Sequence, residues 1–222
     1  ENLIQNYYLD YASIQAARAM PVLEEGSCLD MCAAPGGKTL VLLSRIKENA
    51  EIQANELSAD RRNRLIRVLD EHLSEDNRKR IRVFSYDASR MPRYGQELYD
   101  RILLDAPCSS ERHVLQNEKY LKQWTEARIK NLSQRQWALL SAAFLLLKPK
   151  GFLVYSTCAL ADEENDSLIE KLIKKYKERV RLEDKLDSLG PILPEKTRYG
   201  FRFLPDKAKG AGPIYFSLIQ KN

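Results

Sequence analysis

Two cysteines lie where neighbouring predicted strands end, and their thiols could act as nucleophiles. Cys108 closes an apolar run that also contains Asp105, and Cys158 closes another. In a doubly wound sheet the carboxyl ends of neighbouring strands border the ligand crevice, so both thiols and the carboxylate should meet there. A single cysteine is commonly buried and inert, but chance explains two at strand ends much less readily. The pattern predicts a paired-thiol site.

A run of small residues from Asp30 to Thr39 lies between the predicted first strand and first helix. Such a turn lets a ligand approach the backbone and the free N–H groups of the helix. The run ends like a phosphate-binding loop, but that motif requires glycine where Cys32 stands, and the dinucleotide fingerprint is also absent. Glu56 lies at the end of the second strand, where a carboxylate can bind ribose hydroxyls. The pattern indicates an adenosine-type cofactor, with a purely structural turn as the alternative.

Strand and helix patterns alternate along the chain, which predicts an α/β fold with a doubly wound, mostly parallel, seven-stranded sheet and helices on both faces. The predicted strands are 27–30, 52–56, 81–85, 99–105, 152–156, 201–204 and 214–219. The predicted helices are 8–20, 39–47, one beginning at Ser58, 127–147 and 163–176. We expect a single domain over 1–222, with a helical lead-in over 1–21 and no separate amino-terminal domain.

Composition and charge narrow the class of protein. With 44% hydrophobic and 30% charged residues, the chain is typical of a globular protein, and its net charge of +5 fits a polyanionic partner without demanding one. No apolar run approaches the length of a membrane span. The four cysteines lack the C-x-x-C spacing of a zinc site, and only two histidines accompany them. We therefore predict free thiols, no metal, no membrane association and a cytoplasmic location.

Three segments resemble motifs of a known enzyme family. The runs 30–39, 104–109 and 155–160 are similar to motifs I, IV and VI of the Sun/Nop family of RNA 5-methylcytosine methyltransferases. The similarity continues through 8–13, 205–207 and 212–215, and so covers nearly the whole chain. The run Ser110-Glu111-Arg112-His113 resembles the mitochondrial-type branch, whose members lack a large amino-terminal RNA-binding domain. The resemblance implies the Rossmann-like methyltransferase fold.

The resemblance also implies a reaction, the transfer of a methyl group from S-adenosyl-L-methionine (SAM) to carbon 5 of a cytosine in RNA. Carbon 5 is a poor nucleophile until a thiolate adds to carbon 6 of the ring. The family assigns that attack to Cys158 and gives Cys108 a part in releasing the adduct. Asp105 is then expected to neutralise charge at N3 of the ring. A positive neighbour, Lys38 or the SAM sulfonium, would lower the pKa of the attacking thiol.

Cofactor contacts follow residue by residue from the same resemblance. The methionine portion of SAM is expected against the backbone of Cys32, Ala33, Ala34, Pro35, Gly36, Gly37 and Lys38, with Asp105 beside it. Glu56 is expected to bind the ribose, and Asp87 to accept from the adenine amino group unless it is only a turn residue. Arg61 matches a family arginine near the cofactor, with an exposed helix arginine as the alternative.

RNA is the expected substrate, with ribosomal RNA favoured over tRNA by family analogy. The residues expected to contact it flank the catalytic motif: Arg112, His113, Lys119, Lys122 and Arg128. The target cytosine must be unstacked to reach the thiol, and a partner protein or the folded RNA would supply specificity. Two alternatives stay open. One is a non-catalytic RNA-binding or ribosome-assembly protein that retains the fold, and the other is a DNA cytosine-5 methyltransferase.

Overall fold

Helices and strands alternate in the computed structural model, which describes residues 3–110, 125–184, 186 and 189–222. The helices are α1 (Tyr11–Arg18), α2 (Gly37–Leu43), α3 (Ala59–His72), α4 (Glu75–Lys79), α5 (Glu126–Leu146) and α6 (Asp166–Tyr176). The strands are β1 (Leu23–Asp30), β2 (Ile46–Asn55), β3 (Ile81–Phe84), β4 (Tyr99–Asp105), β5 (Leu147–Thr157), β6 (Val180–Leu182), β7 (Glu195–Lys196), β8 (Phe201–Phe203) and β9 (Ile214–Lys221). Short 3₁₀ turns lie at Ala88–Arg93, Asp162–Glu164 and Lys177–Arg179.

The strands of the described ranges form one sheet in the order β3-β2-β1-β4-β5-β9-β8-β7, with β6 also paired to β9. Strands β1 to β5 pair in parallel, and β9 runs antiparallel to β5. The doubly wound α/β fold is therefore confirmed, but the predicted count of seven strands is wrong, because the sheet has nine. The two strands that were not predicted are β6, which pairs with β9, and β7, which extends the sheet beyond β8.

The core lies on both faces of this sheet, because successive side chains of a strand point to opposite sides. On β4, Leu103 packs with residues of α1, α2 and α3, whereas Ile102 and Leu104 pack with residues of α5 and α6. These three residues of β4 are fully buried. A strand covered on both faces reads as a continuous apolar run, which is why β4 could be located from the sequence.

Several element boundaries differ from the predicted ones. Helix α2 ends at Leu43 rather than at residue 47, because Ile46 already pairs with Leu23 as the first residue of β2. Strand β2 is therefore ten residues long. Helix α1 is shorter than expected and begins after Asp10, whose carboxylate accepts from the backbone N–H groups of Ala12 and Ser13. The stretch 184–205, which we expected to form a loop apart from the strand at 201–204, contains both β7 and β8. No helix of the described ranges has the length and apolarity of a bilayer span.

Candidate active site

The two predicted thiols meet where β4 and β5 end. These strands pair in register from Arg101 to Asp105, so the loops that follow them start side by side. The Sγ atoms of Cys108 and Cys158 are 2.7 Å apart, and the backbone N–H of Cys158 donates to the Cys108 sulfur at 3.3 Å. Ser110 Oγ lies 3.5 Å from the Cys158 sulfur. All four cysteines of the chain are free.

The contact between the sulfurs makes the two thiols chemically different. A hydrogen bond from Cys108 lowers the pKa of Cys158, and further bonding from Ser110 and the charge of Lys38 act in the same direction. The same hydrogen bond, together with burial, raises the pKa of Cys108. Since the thiolate is the reactive form of cysteine, the geometry favours Cys158 as the nucleophile and Cys108 as its protonated neighbour.

A lysine–aspartate pair lies beside the thiols. Lys38 Nζ, at the start of α2, donates to Asp105 Oδ2 at 2.8 Å, and Ser156 Oγ donates to Asp105 Oδ1 at 2.9 Å. Burial disfavours the charged form of Lys38, but the charge of Asp105 and its hydrogen bond outweigh that effect and raise the pKa of Lys38. Lys38 is 12% exposed and Asp105 is 32% exposed, so the carboxylate is the member of the pair that a ligand can reach.

The glycines of the turn after β1 make room for neighbouring parts of the protein. Gly36 has a φ of +115°, and a Cβ there would lie 3.0 Å from a methyl carbon of Leu65 in α3. A Cβ on Gly37 would lie 2.9 Å from Leu9 and from Tyr7. The space that a Cβ would take at Gly36 and Gly37 is thus occupied by protein, and the expectation that a ligand approaches the backbone of this turn stays a prediction. The small size of the two glycines allows the turn to pack between α3 and the amino-terminal segment.

Glu56 and Arg61 link the second strand to that turn. Glu56 is 5% exposed, and its Oε1 accepts from the backbone N–H of Ser58 at 2.9 Å. Its Oε2 is buried without a hydrogen-bond donor among the described residues and faces Arg61 Nη2 at 3.5 Å. The same guanidinium nitrogen donates to the carbonyl of Ala34 at 2.8 Å. Arg61 is thus half-exposed yet fixed to the turn, which favours its predicted site position over a solvated helix position.

A cleft runs from Glu56 towards the thiols. Cys32, Glu56, Arg61 and Asp87 line it, and so does Pro107, the residue before Cys108. Four of the predicted cofactor residues and the residue before Cys108 therefore line one cleft, whereas residues 33–38 and Asp105 are not part of its lining. Asp87 is 43% exposed, and its carboxylate accepts from the backbone and side chain of Ser89, which lowers the pKa of Asp87. Ala33 and Ala34 are buried beside the cleft, whereas Pro35 is exposed.

Several buried polar residues around the site were not predicted. Asp30 is 1% exposed, and its Oδ2 accepts from Thr39 Oγ1 at 2.6 Å. Burial raises the pKa of Asp30 to about 7. Asn55 donates to the carbonyls of Met31 and Tyr86 and so joins the ends of β1 and β3. Burial of a polar side chain depends on tertiary contacts, so the sequence pattern carried no signal for either residue.

The remaining predictions concern the residues expected to contact RNA, the thiol of Cys32 and metal binding. Arg112, His113, Lys119 and Lys122 lie outside the described residues. Arg128 lies in the first turn of α5 and is partly buried. Burial raises the pKa of Cys32 to about 12, so this thiol lines the cleft without being activated. The described residues contain no cluster of three side chains suited to a metal ion.

Comparisons with known proteins agree with this geometry. A family model described as 16S rRNA methyltransferase RsmB/F matches residues 18–219. The chain is 35% identical to the 5-cytosine rRNA methyltransferase NSUN4 of Bos taurus, over 94% of the chain and 59% of that protein. It is 32% identical to the mitochondrial tRNA (cytosine(34)-C(5))-methyltransferase of Danio rerio, over 99% of the chain and 61% of that protein. The chain thus spans about 60% of the length of these curated relatives.

A solved structure is similar over almost the whole chain. The structure of NSun6 from Pyrococcus horikoshii with SFG, an analogue of SAM, superposes with a TM-score of 0.80 and 29% identity. The match covers 97% of this chain and 53% of that one.

Proposed function

The chain belongs to the RsmB/F family of methyltransferases, and on this premise we propose that it transfers a methyl group from SAM to carbon 5 of a cytosine in RNA. The observation that carries the proposal is the contact between Cys108 and Cys158 beside the Lys38–Asp105 pair. A protein that only bound RNA would not require two thiols in contact, with opposite pKa shifts, beside a lysine–aspartate pair.

The described residues fit SAM. Glu56 Oε2 is a buried acceptor that faces Arg61 but has no hydrogen-bond donor among the described residues, so it is available to ribose hydroxyls. Asp87 lines the other side of the same cleft, where it would accept from the adenine amino group. The backbone from Cys32 to Lys38 would hold the methionine portion, and Arg61 keeps that turn in place through Ala34. When bound, SAM supplies an electrophilic methyl group.

The side chains at the thiol site then have distinct tasks. The Cys158 thiolate adds to carbon 6 of the ring, which makes carbon 5 nucleophilic. The negative charge that develops at N3 is neutralised by a proton that passes from Lys38 through the hydrogen-bonded carboxyl of Asp105, and the proton returns by the same path when the adduct breaks down. Once Cys158 is bonded to carbon 6, Cys108 gives up its own proton to water, and after methylation its thiolate accepts the carbon 5 proton. The bond between carbon 6 and Cys158 then breaks and the ring double bond is restored.

Ribosomal RNA is the substrate that we propose over tRNA. The matching family is described for 16S rRNA, and NSUN4 is named as an rRNA methyltransferase, although the Danio rerio relative is named for a tRNA position. Because the chain spans only part of these relatives, we propose that other protein segments or a partner protein supply RNA specificity. The net charge of +5 suits a polyanionic substrate.

Two cysteine variants test the proposal. The chain is incubated with SAM and total RNA from cells that lack the protein, and products are resolved on a denaturing gel and by sequencing of methylated cytosines. We expect Cys108→Ala to accumulate a covalent RNA adduct, because release is blocked, and Cys158→Ala to form none. Cys28→Ala is the matched control, since that thiol is fully buried in the core.

Three other outcomes would contradict the proposal. Methylation of DNA but not RNA would indicate a DNA methyltransferase. RNA binding without methylation would indicate a binding protein that retains the fold. An adduct in Cys158→Ala but not in Cys108→Ala would exchange the roles of the two thiols.

A further inference from the structure

Two consecutive buried polar residues contact the loops that carry the thiols. Glu164 ends the short 3₁₀ turn after β5, and Asn165 precedes α6. Glu164 is fully buried and Asn165 is 7% exposed. A fully buried carboxylate is costly unless it is hydrogen-bonded, so its partners indicate what it does.

The partners of Glu164 flank Cys108. Its Oε2 accepts from the backbone N–H of Ser109 at 3.0 Å. The same oxygen accepts from Gln136 Nε2 of α5 at 2.6 Å, and that nitrogen also donates to the carbonyl of Pro107 at 2.8 Å. The residue before Cys108 and the residue after it are thus both held, one by Gln136 and the other by Glu164.

The partners of Asn165 flank Cys158 in the same manner. Thr157 Oγ1 donates to Asn165 Oδ1 at 2.6 Å, and Asn165 Nδ2 donates to the carbonyl of Ala159 at 3.0 Å. The backbone N–H of Ala159 donates to Thr157 Oγ1 at 3.3 Å. One amide side chain therefore closes the loop on both sides of Cys158.

We propose that Glu164 and Asn165 are positioning residues that set the separation of the two thiols, Glu164 through the Cys108 loop and Asn165 through the Cys158 loop. The inference rests on the proposed function. Because the two residues are adjacent in the chain, a single turn fixes both loops relative to each other. Neither loop is constrained by strand pairing at its cysteine, since the β4–β5 register ends at Asp105 and Ser156. Misplacement of a reacting group by 1 Å can cost about 100-fold in rate.

The two residues should affect different steps. Removal of Glu164 releases the Cys108 loop, so Glu164→Ala should slow adduct release and accumulate covalent adduct on natural RNA. We expect release to be about tenfold slower than in the unaltered chain. Glu164→Gln retains an oxygen acceptor for Ser109 and should restore most of the release rate. Gln136→Met frees the other side of the same loop and should also accumulate adduct, which provides a second test if Glu164→Ala does not fold.

The role of Asn165 is tested in a variant that cannot release the covalent RNA adduct. In a Cys108→Ala background the rate of adduct appearance reports the attack by Cys158 alone. Asn165→Ala should lower that rate about tenfold, because the Cys158 loop loses both of its hydrogen bonds to Asn165. Asn165→Asp keeps the acceptor for Thr157 but loses the donor to Ala159, so its rate should be intermediate. If Asn165→Ala does not fold, the rate of adduct appearance in Asn165→Asp tests the role of Asn165.

The exposed neighbour Glu163 supplies the matched control. Glu163→Ala should change neither adduct release nor adduct formation. Equal losses of both steps in Glu164→Ala and Asn165→Ala, without rescue by Glu164→Gln, would show a merely structural role and overturn the inference. So would unchanged kinetics in the folded variants. If instead the unaltered chain methylates no RNA and Cys108→Ala traps no adduct, it is the proposed function that fails.

Discussion

The carboxyl of Asp30 lies at the end of β1 and is almost completely buried. Burial raises its pKa to about 7, although the hydrogen bond from Thr39 and the charge of Lys38 oppose the shift. Its Oδ1 has no hydrogen-bond partner within the described ranges. In an unfolded chain the same carboxyl has the ordinary pKa of an aspartate, 3.8. The native state therefore binds one more proton than the unfolded state between these two pH values.

This difference predicts a pH-dependent stability. The free energy of unfolding should fall as pH rises from about 4 to about 7, because the unfolded state gives up the proton of Asp30 first. It should level off above that window. The effect amounts to at most about 4 kcal/mol. Asp30→Asn retains an acceptor for Thr39 without the ionisation, so its stability should change less over the window.

Urea unfolding of the unaltered chain and of Asp30→Asn at about pH 5 and about pH 8 checks the prediction. Other titrating groups contribute equally to both proteins, so the difference between them isolates Asp30. An equal loss of stability in both proteins between the two pH values would contradict the pKa shift of Asp30.

The turn that joins β1 to α2 depends on Gly36 for two separate reasons. Its φ of +115° is one that residues with a Cβ rarely adopt, and a Cβ would also press on Leu65 and Val68 of α3 at 3.0 and 3.2 Å. Gly36→Ala should therefore lose about 1–2 kcal/mol from backbone strain and a further 1–3 kcal/mol from overpacking. Because Arg61 belongs to the same helix, the cofactor cleft should loosen as well.

Gly210→Ala is the matched control for this prediction. Gly210 also has a positive φ, of +87°, but a Cβ there would meet no atom within 4 Å. Denaturant unfolding of both variants then separates strain from packing. Equal destabilisation by the two substitutions would contradict the view that Gly36 makes room for α3.

Elements with a strong local pattern could be predicted, and those that depend on neighbours could not. The sequence located α5 and β4 closely, because long apolar runs show which segments are buried. The start of β2 was missed because the residues after Ile46 are exposed and charged, as in a loop, although their backbone pairs with β1. The edge strands β6 and β7 are too short to carry a pattern of their own, whereas β8 was located from its phenylalanines.

The same distinction applies within the site. Cys108 and Cys158 could be expected to meet because both follow the ends of neighbouring strands. Glu164 could not be recognised, because it closes an acidic run that is typical of a solvated turn. It is buried only because Ser109 and Gln136, distant in sequence, donate to it.

The cleft that contains Glu56 and Asp87 is lined by residues from distant parts of the sequence. Its residues range from Met31 after β1 to Leu139 in α5 and include Glu56 after β2 and Asp87 after β3. No one element forms this cleft, so it exists only when the sheet and its helices are assembled. Binding of SAM should therefore stabilise the folded molecule as a whole.

A thermal-unfolding series measures that stabilisation without any RNA. At a SAM concentration about 100 times its dissociation constant, the free energy of unfolding should rise by about 2.7 kcal/mol. For a domain of this size that corresponds to an increase in Tm of roughly 5–10 °C. Glu56→Gln should reduce the increase, because the free carboxylate oxygen that faces the cleft is lost. Glu51→Gln, an exposed change on β2, is the control and should keep the full increase. If SAM left the Tm of the unaltered chain unchanged, or stabilised Glu56→Gln equally, the proposed place of the cofactor would be wrong.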